Sequence, residues 1–364
     1  VLGLYLRSIA LTGVAIMTAI LAIDLGSNMS HLSTLPGGGT ASQILYYAYL
    51  RALYNLPPIL PIAAAIGITL AEMRLVHRLE RPAMAGTGRP LLTAIVPALA
   101  VGLLLALPQQ LAVSWWRPLS VEDQGASGFR DYGARFRAGE TEPRWIAVGN
   151  TMLRARLAFA EGGVTLKDVL ALRLDGANRV DSIFHAPTAA VDHGVLVLRD
   201  ATCLNCRAGH DRWTPIALDA AWLADQDIEP QLLSSAELNH LATVTAGIPD
   251  QTAYRATAAM RRSAWLKPLA IALLAATLSL FLMRPRMGLK PPLLAALATY
   301  AYYFAGGCLE IMAGFGALNP YAAALALPLL TILACLAMLL RDEWIIAARL
   351  RKASAMHRRE RRPA

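Results

Sequence analysis

The sequence predicts an α-helical polytopic membrane protein: six transmembrane helices, with an all-β domain inserted between the third and the fourth. Three observations carry that expectation: six long apolar runs, a long polar block (118–267) between two triplets of them, and a basic bias confined to one side. A helix rises about 1.5 Å per residue, so about 20 mostly apolar residues cross the hydrocarbon layer. One such run fits a buried core helix, but six do not. With 56% hydrophobic and 16% charged residues, the chain is too apolar for an ordinary globular enzyme.

The runs are approximately Ile9–Ile23, Pro57–Ala71, Leu91–Leu111, Leu266–Met283, Leu293–Ala313 and Tyr321–Leu340. The first, with Arg7 before it, has the look of a signal peptide. Its removal would leave five spans and put one terminus on the wrong side of the charge bias, so it is read as an uncleaved span. Trp115 and Trp116 leave the third run, Trp265 enters the fourth and Trp344 follows the sixth. Indole rings favour the headgroup level, where one edge is apolar and the other wet.

Basic residues set the orientation. Arg74, Arg78, Arg81 and Arg89 lie between runs two and three, and Arg284, Arg286 and Lys290 between four and five. Eight more lie between Arg341 and Arg362, whereas Asp24–Gln43 and Gly314–Pro320 hold no Lys or Arg. Short basic segments stay cytoplasmic. Both termini are therefore expected inside and the central block outside, in the periplasm of a Gram-negative cell. The expected division is 1–117 for spans one to three, with a cytoplasmic segment at 72–90; 118–250 for the β domain; 251–340 for spans four to six; and 341–364 for a basic tail. The net charge of +9 sits mostly in these loops and the tail, where topology and anionic headgroups account for it, so no nucleic-acid partner is expected.

Within the block the period changes. Val164 and Leu166, then Leu170, Leu172 and Leu174, alternate with polar residues. Trp145–Val148, Val180–Phe184 and Val195–Leu198 are further short runs, separated by turn signals at 161–163, Asp175-Gly176 and His193-Gly194. Close-spaced short strands predict a small sandwich or open barrel. Residues 234–262 read as mostly helical, with a helix start near Ser235.

Some chemistry is absent. None of the four lysines follows a glycine, so the chain carries no P-loop of its own. No His-Glu-x-x-His helix or Gly-x-Ser-x-Gly elbow is present. Glu310 is the one good intramembrane carboxylate candidate. Cys203 and Cys206, with His210 beyond, supply only three zinc ligands, so a local disulfide outside the cytoplasm is favoured over a metal. Cys308 and Cys335 read as packing residues. No cofactor, metal or catalytic residue is expected. A membrane-anchored sensor would want a larger cytoplasmic output module, and a lipid-modifying enzyme would want converging catalytic side chains.

Several stretches resemble the lipopolysaccharide-export permeases LptF/LptG. Span two reads Leu56-Pro57-Pro58-Ile59-Leu60-Pro61-Ile62-Ala63, then Gly67. The next loop places Glu80, Met84 and Gly88 in the family's Glu-x3-Met-x3-Gly coupling spacing, although Pro82 and Gly86 shorten any helix there. Arg284-Pro285-Arg286-Met287-Gly288, Tyr302-Tyr303-Phe304 and Gly316-Ala317-Leu318-Asn319-Pro320 are similar to further family stretches. The resemblance implies an ABC-transporter permease with a jelly-roll-like periplasmic domain. It also implies a cytoplasmic ATPase dimer contacting Glu80, Met84 and Gly88, and a second six-span permease chain. Periplasmic β-jellyroll bridge proteins would receive the cargo, lipopolysaccharide. Arg51, Arg117, Arg261, Arg262 and Lys267 at the outer rim are candidates for lipid phosphates, and Tyr302, Tyr303 and Glu310 for a cavity or gate.

Overall fold

The computed structural model describes residues 1–36, 39–81, 83, 91–136, 139–160, 163–206, 212–244, 248, 251–282 and 290–360. Met84, Gly88, His210 and the Arg284–Gly288 turn lie outside the described residues. Helix α1 runs Leu2–Thr34 and α2 Ala41–His77, with Pro57, Pro58 and Pro61 inside it. Helix α3 (Leu91–Leu111) passes through a π turn at Ala112–Trp116 into α4 (Arg117–Ala126). After the sheet come α5 (Ala220–Asp225), α6 (Ser235–Thr243), α7 (Gln251–Arg262), α8 (Leu266–Leu282), α9 (Lys290–Gly314) and α10 (Pro320–Glu360).

Among the described residues four helices are long and apolar enough to cross a membrane, or five if α7 and α8, bent 59° to each other, form one broken span. Helix α9 falls outside that set; Tyr300, Tyr302, Tyr303 and Glu310 lower its hydropathy. Two glycines set the helix packing. A Cβ on Gly67 would meet the Ile9 backbone at 2.7 Å, and one on Gly102 the Cα of Leu269 at 2.8 Å, so α1–α2 and α3–α8 touch backbone to backbone. The Gly316–Pro320 stretch is a helix stop and start. Gly316 takes φ +75° while its N–H and that of Ala317 bond back to Ala313 and Met312. Asn319 Oδ1 then accepts from Tyr321 N at 3.0 Å, and Pro320 opens α10. The expected basic tail is helical: α10 continues to Glu360 without a break.

The inserted block holds one eight-stranded antiparallel sheet: β1 (Gly139–Glu140), β2 (Arg144–Val148), β3 (Thr151–Ala160), β4 (Gly163–Leu174), β5 (Val180–Asp192), β6 (Val195–Arg199), β7 (Thr202–Cys206) and β8 (Ile216–Ala217). The long strands β3, β4 and β5 form a spine. Strands β2 and β7 flank one half of it, and β1, β6 and β8 the other. His193 (φ +48°) and Gly194 (φ +76°) make the tight turn between β5 and β6. A bulge creases the sheet: Asp168 at φ +53° is skipped in the ladder, opposite the unpaired Pro187.

That bulge corrects the alternation read from sequence. Leu166 points inward, but beyond Asp168 the parity flips, and Val169 and Ala171 are buried instead of Leu170, Leu172 and Leu174. Met152, Leu172 and Ile183 then form a half-buried cross-strand row on the opposite face. The block is also not all-β. Trp222 and Leu223 of α5, Leu238 and Leu241 of α6 and Val121 of α4 pack against Leu153, Leu166 and Phe184 of the sheet. The helix starts at Ser235, as expected, and the residue before it is its cap. Ser234 caps α6, and Glu237 bonds back to complete a capping box.

Candidate functional site

Polar groups gather where α1, α2 and α4 meet the sheet domain. Asp24 of α1 accepts from Arg51 Nε at 2.8 Å and Nη2 at 2.9 Å, from Tyr47 OH at 2.7 Å and from Arg130 Nη2 at 2.7 Å. A buried charge demands such partners. Arg51 also reaches Tyr132 OH at 3.3 Å, and Tyr132 donates to Gln124. The ring of Tyr54 has two guanidinium groups in range, Arg51 at 4.7 Å and Arg117 at 4.8 Å from its centroid.

Arg117 is the hub of a second group. It lies within electrostatic reach of Arg261 and Lys267, and Lys267 within reach of Glu310. Among the described residues no carboxylate forms an ion pair with Arg117, and its buried Nε has no hydrogen-bond partner. Arg261 is satisfied by backbone carbonyls, Leu233 at 2.9 Å and Gln231 at 3.0 Å, plus Ser235 Oγ at 3.3 Å. Arg262 is exposed and donates to Tyr321 OH at 2.7 Å and Asn239 Oδ1 at 3.0 Å. A pocket between the π turn and α6–α7 is lined by Gln110, Ser114, Trp115, Asn239, Arg261 and Arg262.

The five sequence candidates at the rim thus separate by role. Arg117 keeps a buried donor without a partner, Lys267 has Glu310 within reach, and Arg262 is accessible. Arg51 is committed to Asp24, and Arg261 braces the chain that links sheet to membrane. Arg130, missed in the sequence, joins them; its separation from Asp24 by 106 residues left no local signal.

Tyr302 is buried in the helix bundle and Tyr303 is half-buried against it. Tyr302 packs with Tyr5, Ile9 and Ile271, and Tyr303 OH donates to the Pro58 carbonyl at 3.4 Å, within the proline stretch of α2. The outward stripe of α9 is Leu293, Leu297, Tyr300, Phe304 and Ile311, all exposed, and Phe315 just past its end is exposed too. Helix α1 is just as bare; only 6% of its most apolar window is buried. Glu80 is exposed just past α2, and Leu79 before it sits in the left-handed region at φ +61°. Cys203 and Cys206 of β7 are joined as a disulfide, Cα atoms 6.1 Å apart.

A family model described as the lipopolysaccharide export system permease LptF/LptG matches residues 2–341. The chain belongs to that family. No curated protein matches it in a direct comparison. The LptF/LptG family comprises transport subunits of the inner membrane rather than enzymes, and this member combines the family's apolar helices with an antiparallel sheet domain. The match stops at Arg341, so the last twenty residues or so of α10 extend beyond the family region.

Proposed function

We propose that this chain is the transmembrane subunit of an ABC-type exporter that extracts lipopolysaccharide from the outer leaflet of the inner membrane and passes it to a periplasmic bridge of β-jellyroll domains. Six spans are proposed, α9 included, with both termini cytoplasmic and the sheet domain, itself jelly-roll-like, in the periplasm. The observation that carries the reading is Arg117, whose buried Nε has no partner, with Lys267 in its reach and Arg262 exposed beside α6, in a chain whose α1 and α9 present uncovered apolar faces. A phosphorylated sugar with acyl chains needs that combination: guanidinium groups for phosphate and apolar walls for chains.

Each buried CH₂ holds a lipid in the bilayer by about 0.8 kcal/mol, so extraction of several acyl chains requires work from ATP. That work is assigned to a cytoplasmic ATPase dimer docked on Glu80, Met84 and Gly88. A second six-span permease chain is assigned to the bare faces of α1 and α9, closing a cavity between the two chains. The half-buried row Met152–Leu172–Ile183 offers acyl chains a path along the sheet.

Replacing Arg117 with Glu tests the site. Lipopolysaccharide bound per purified complex is expected to fall about tenfold, the worth of a charge-assisted contact, while the ATPase still co-purifies. Unchanged lipid content in that variant sinks the phosphate assignment.

A further inference from the structure

At the opposite end of α1 and α2 lies a second buried polar cluster, with no part in the lipid site. Glu72 of α2 is 1% exposed, in a helix otherwise lined here by Ile68, Ala71 and Leu75. Arg81, in the first turn beyond α2, donates from Nε to Glu72 Oε2 at 2.7 Å and from Nη2 to Glu72 Oε1. Tyr5 of α1 donates to the same carboxylate, and Arg81 Nη2 also meets Tyr5 OH at 3.1 Å and the Ala94 carbonyl of α3 at 3.4 Å. One guanidinium from the cytoplasmic segment therefore holds the ends of three spans.

We propose that Tyr5, Glu72 and Arg81 form the mechanical joint by which movement of the cytoplasmic coupling segment is delivered to α1. The inference rests on the transport reading above and adds positioning residues to it. Two physical arguments support a stiff joint. Separating a buried ion pair strands a charge in apolar surroundings, so Arg81 and Glu72 move together or not at all. Above them, the contact of Gly67 with the Ile9 backbone leaves α1 and α2 no room to slide independently. A displacement at Arg81 thus reaches Glu72, Tyr5 and then the bare face of α1. A loop alone would absorb it: Leu79 at φ +61° ends the α2 helix, so no continuous helix carries motion across that point.

The test uses the full complex with its ATPase in proteoliposomes, purified lipopolysaccharide as cargo and a soluble β-jellyroll acceptor. The readout is lipid transferred per ATP hydrolysed. The double variant Glu72→Gln/Arg81→Gln removes both charges, so no ion is stranded and assembly is preserved. Tyr5→Phe deletes one hydroxyl at constant shape. In the double variant ATPase co-purification and hydrolysis are expected to persist while transfer per ATP falls about tenfold, with a smaller fall for Tyr5→Phe. Arg81→Lys, which keeps charge without the fork, is expected to recover part of the loss. An unchanged ratio in the double variant overturns the joint, as does loss of ATPase association, which would make the cluster a docking element. A wild-type complex that binds the ATPase yet moves no lipid removes the transport reading beneath it.

Discussion

Asp225 shows how a single buried carboxyl reports on the seam between sheet domain and membrane base. It closes α5 at 2% exposure, and its partner Arg135 is shared with Glu237 of α6, at 2.6 and 2.9 Å. Burial pushes the Asp225 carboxyl from the ordinary 3.8 up to about 6, against the pull of Arg135. Burial also acts on Glu237, but the Ser234 amide and hydroxyl together with Arg135 outweigh it and hold that carboxyl below its usual range. The raised group favours the folded state most when protonated. Its contribution is complete below 3.8 and is lost as pH rises through about 6. The contribution of Glu237 runs the other way, present above 4.5 and lost as pH falls through its depressed value. Between about pH 5 and about pH 7 only Asp225 of the two titrates, so the wild-type Tm should drop over that range relative to Asp225→Asn. Scanning calorimetry of both proteins in detergent checks it, and a pH-independent Tm difference counts against the assignment. The same scale explains why the rim was half legible. Basic residues beside apolar runs stand out in a sequence, but their partners do not: Asp24 lies 27 residues from Arg51.

Elements were legible where their rule is local. Alternation and turn residues gave β2, β4, β5 and β6, because His193-Gly194 and the Asp175–Arg179 turn are held by their own residues alone. The crease was not legible, since the bulge at Asp168 shows itself only in how β4 registers against β3, and it flipped the inward set of β4 downstream. Ser234-x-x-Glu237 was a readable box that the Ser235 assignment passed over. Helix contacts through glycine were invisible for a different reason: Gly67 looked like one more small residue in an apolar run. Its geometry makes a sharp prediction. In Gly67→Ala the new methyl would stand 2.7 Å from backbone atoms of Ile9, which cannot rotate away. Overpacking of that kind costs about 1–3 kcal/mol, so thermal unfolding in detergent should shift down by several degrees. Gly3→Ala, whose methyl meets nothing within 4 Å, is the control and should leave the midpoint in place.

At the scale of the whole molecule, topology makes the chemistry possible. The rim cations lie at one end of the helices, next to the sheet domain. The Tyr5–Glu72–Arg81 cluster lies at the other, so the two sites can serve one transport cycle only if the membrane separates them. Charge bias predicts that arrangement from sequence, because Lys and Arg beside short loops are held on the cytoplasmic side at insertion. Thiol labelling of intact cells tests it directly, in a Cys308→Ser background that removes the exposed free cysteine. Trp145 is 52% exposed on β2, and Leu79 is 61% exposed past the end of α2. Trp145→Cys should react with a membrane-impermeant maleimide once the outer membrane is permeabilised, and Leu79→Cys only after the inner membrane is opened. Reaction of both before that step, or of Leu79→Cys first, places the sheet domain and the coupling segment wrongly. In that case cations, apolar faces and joint would no longer line up along one path from ATP to the lipid.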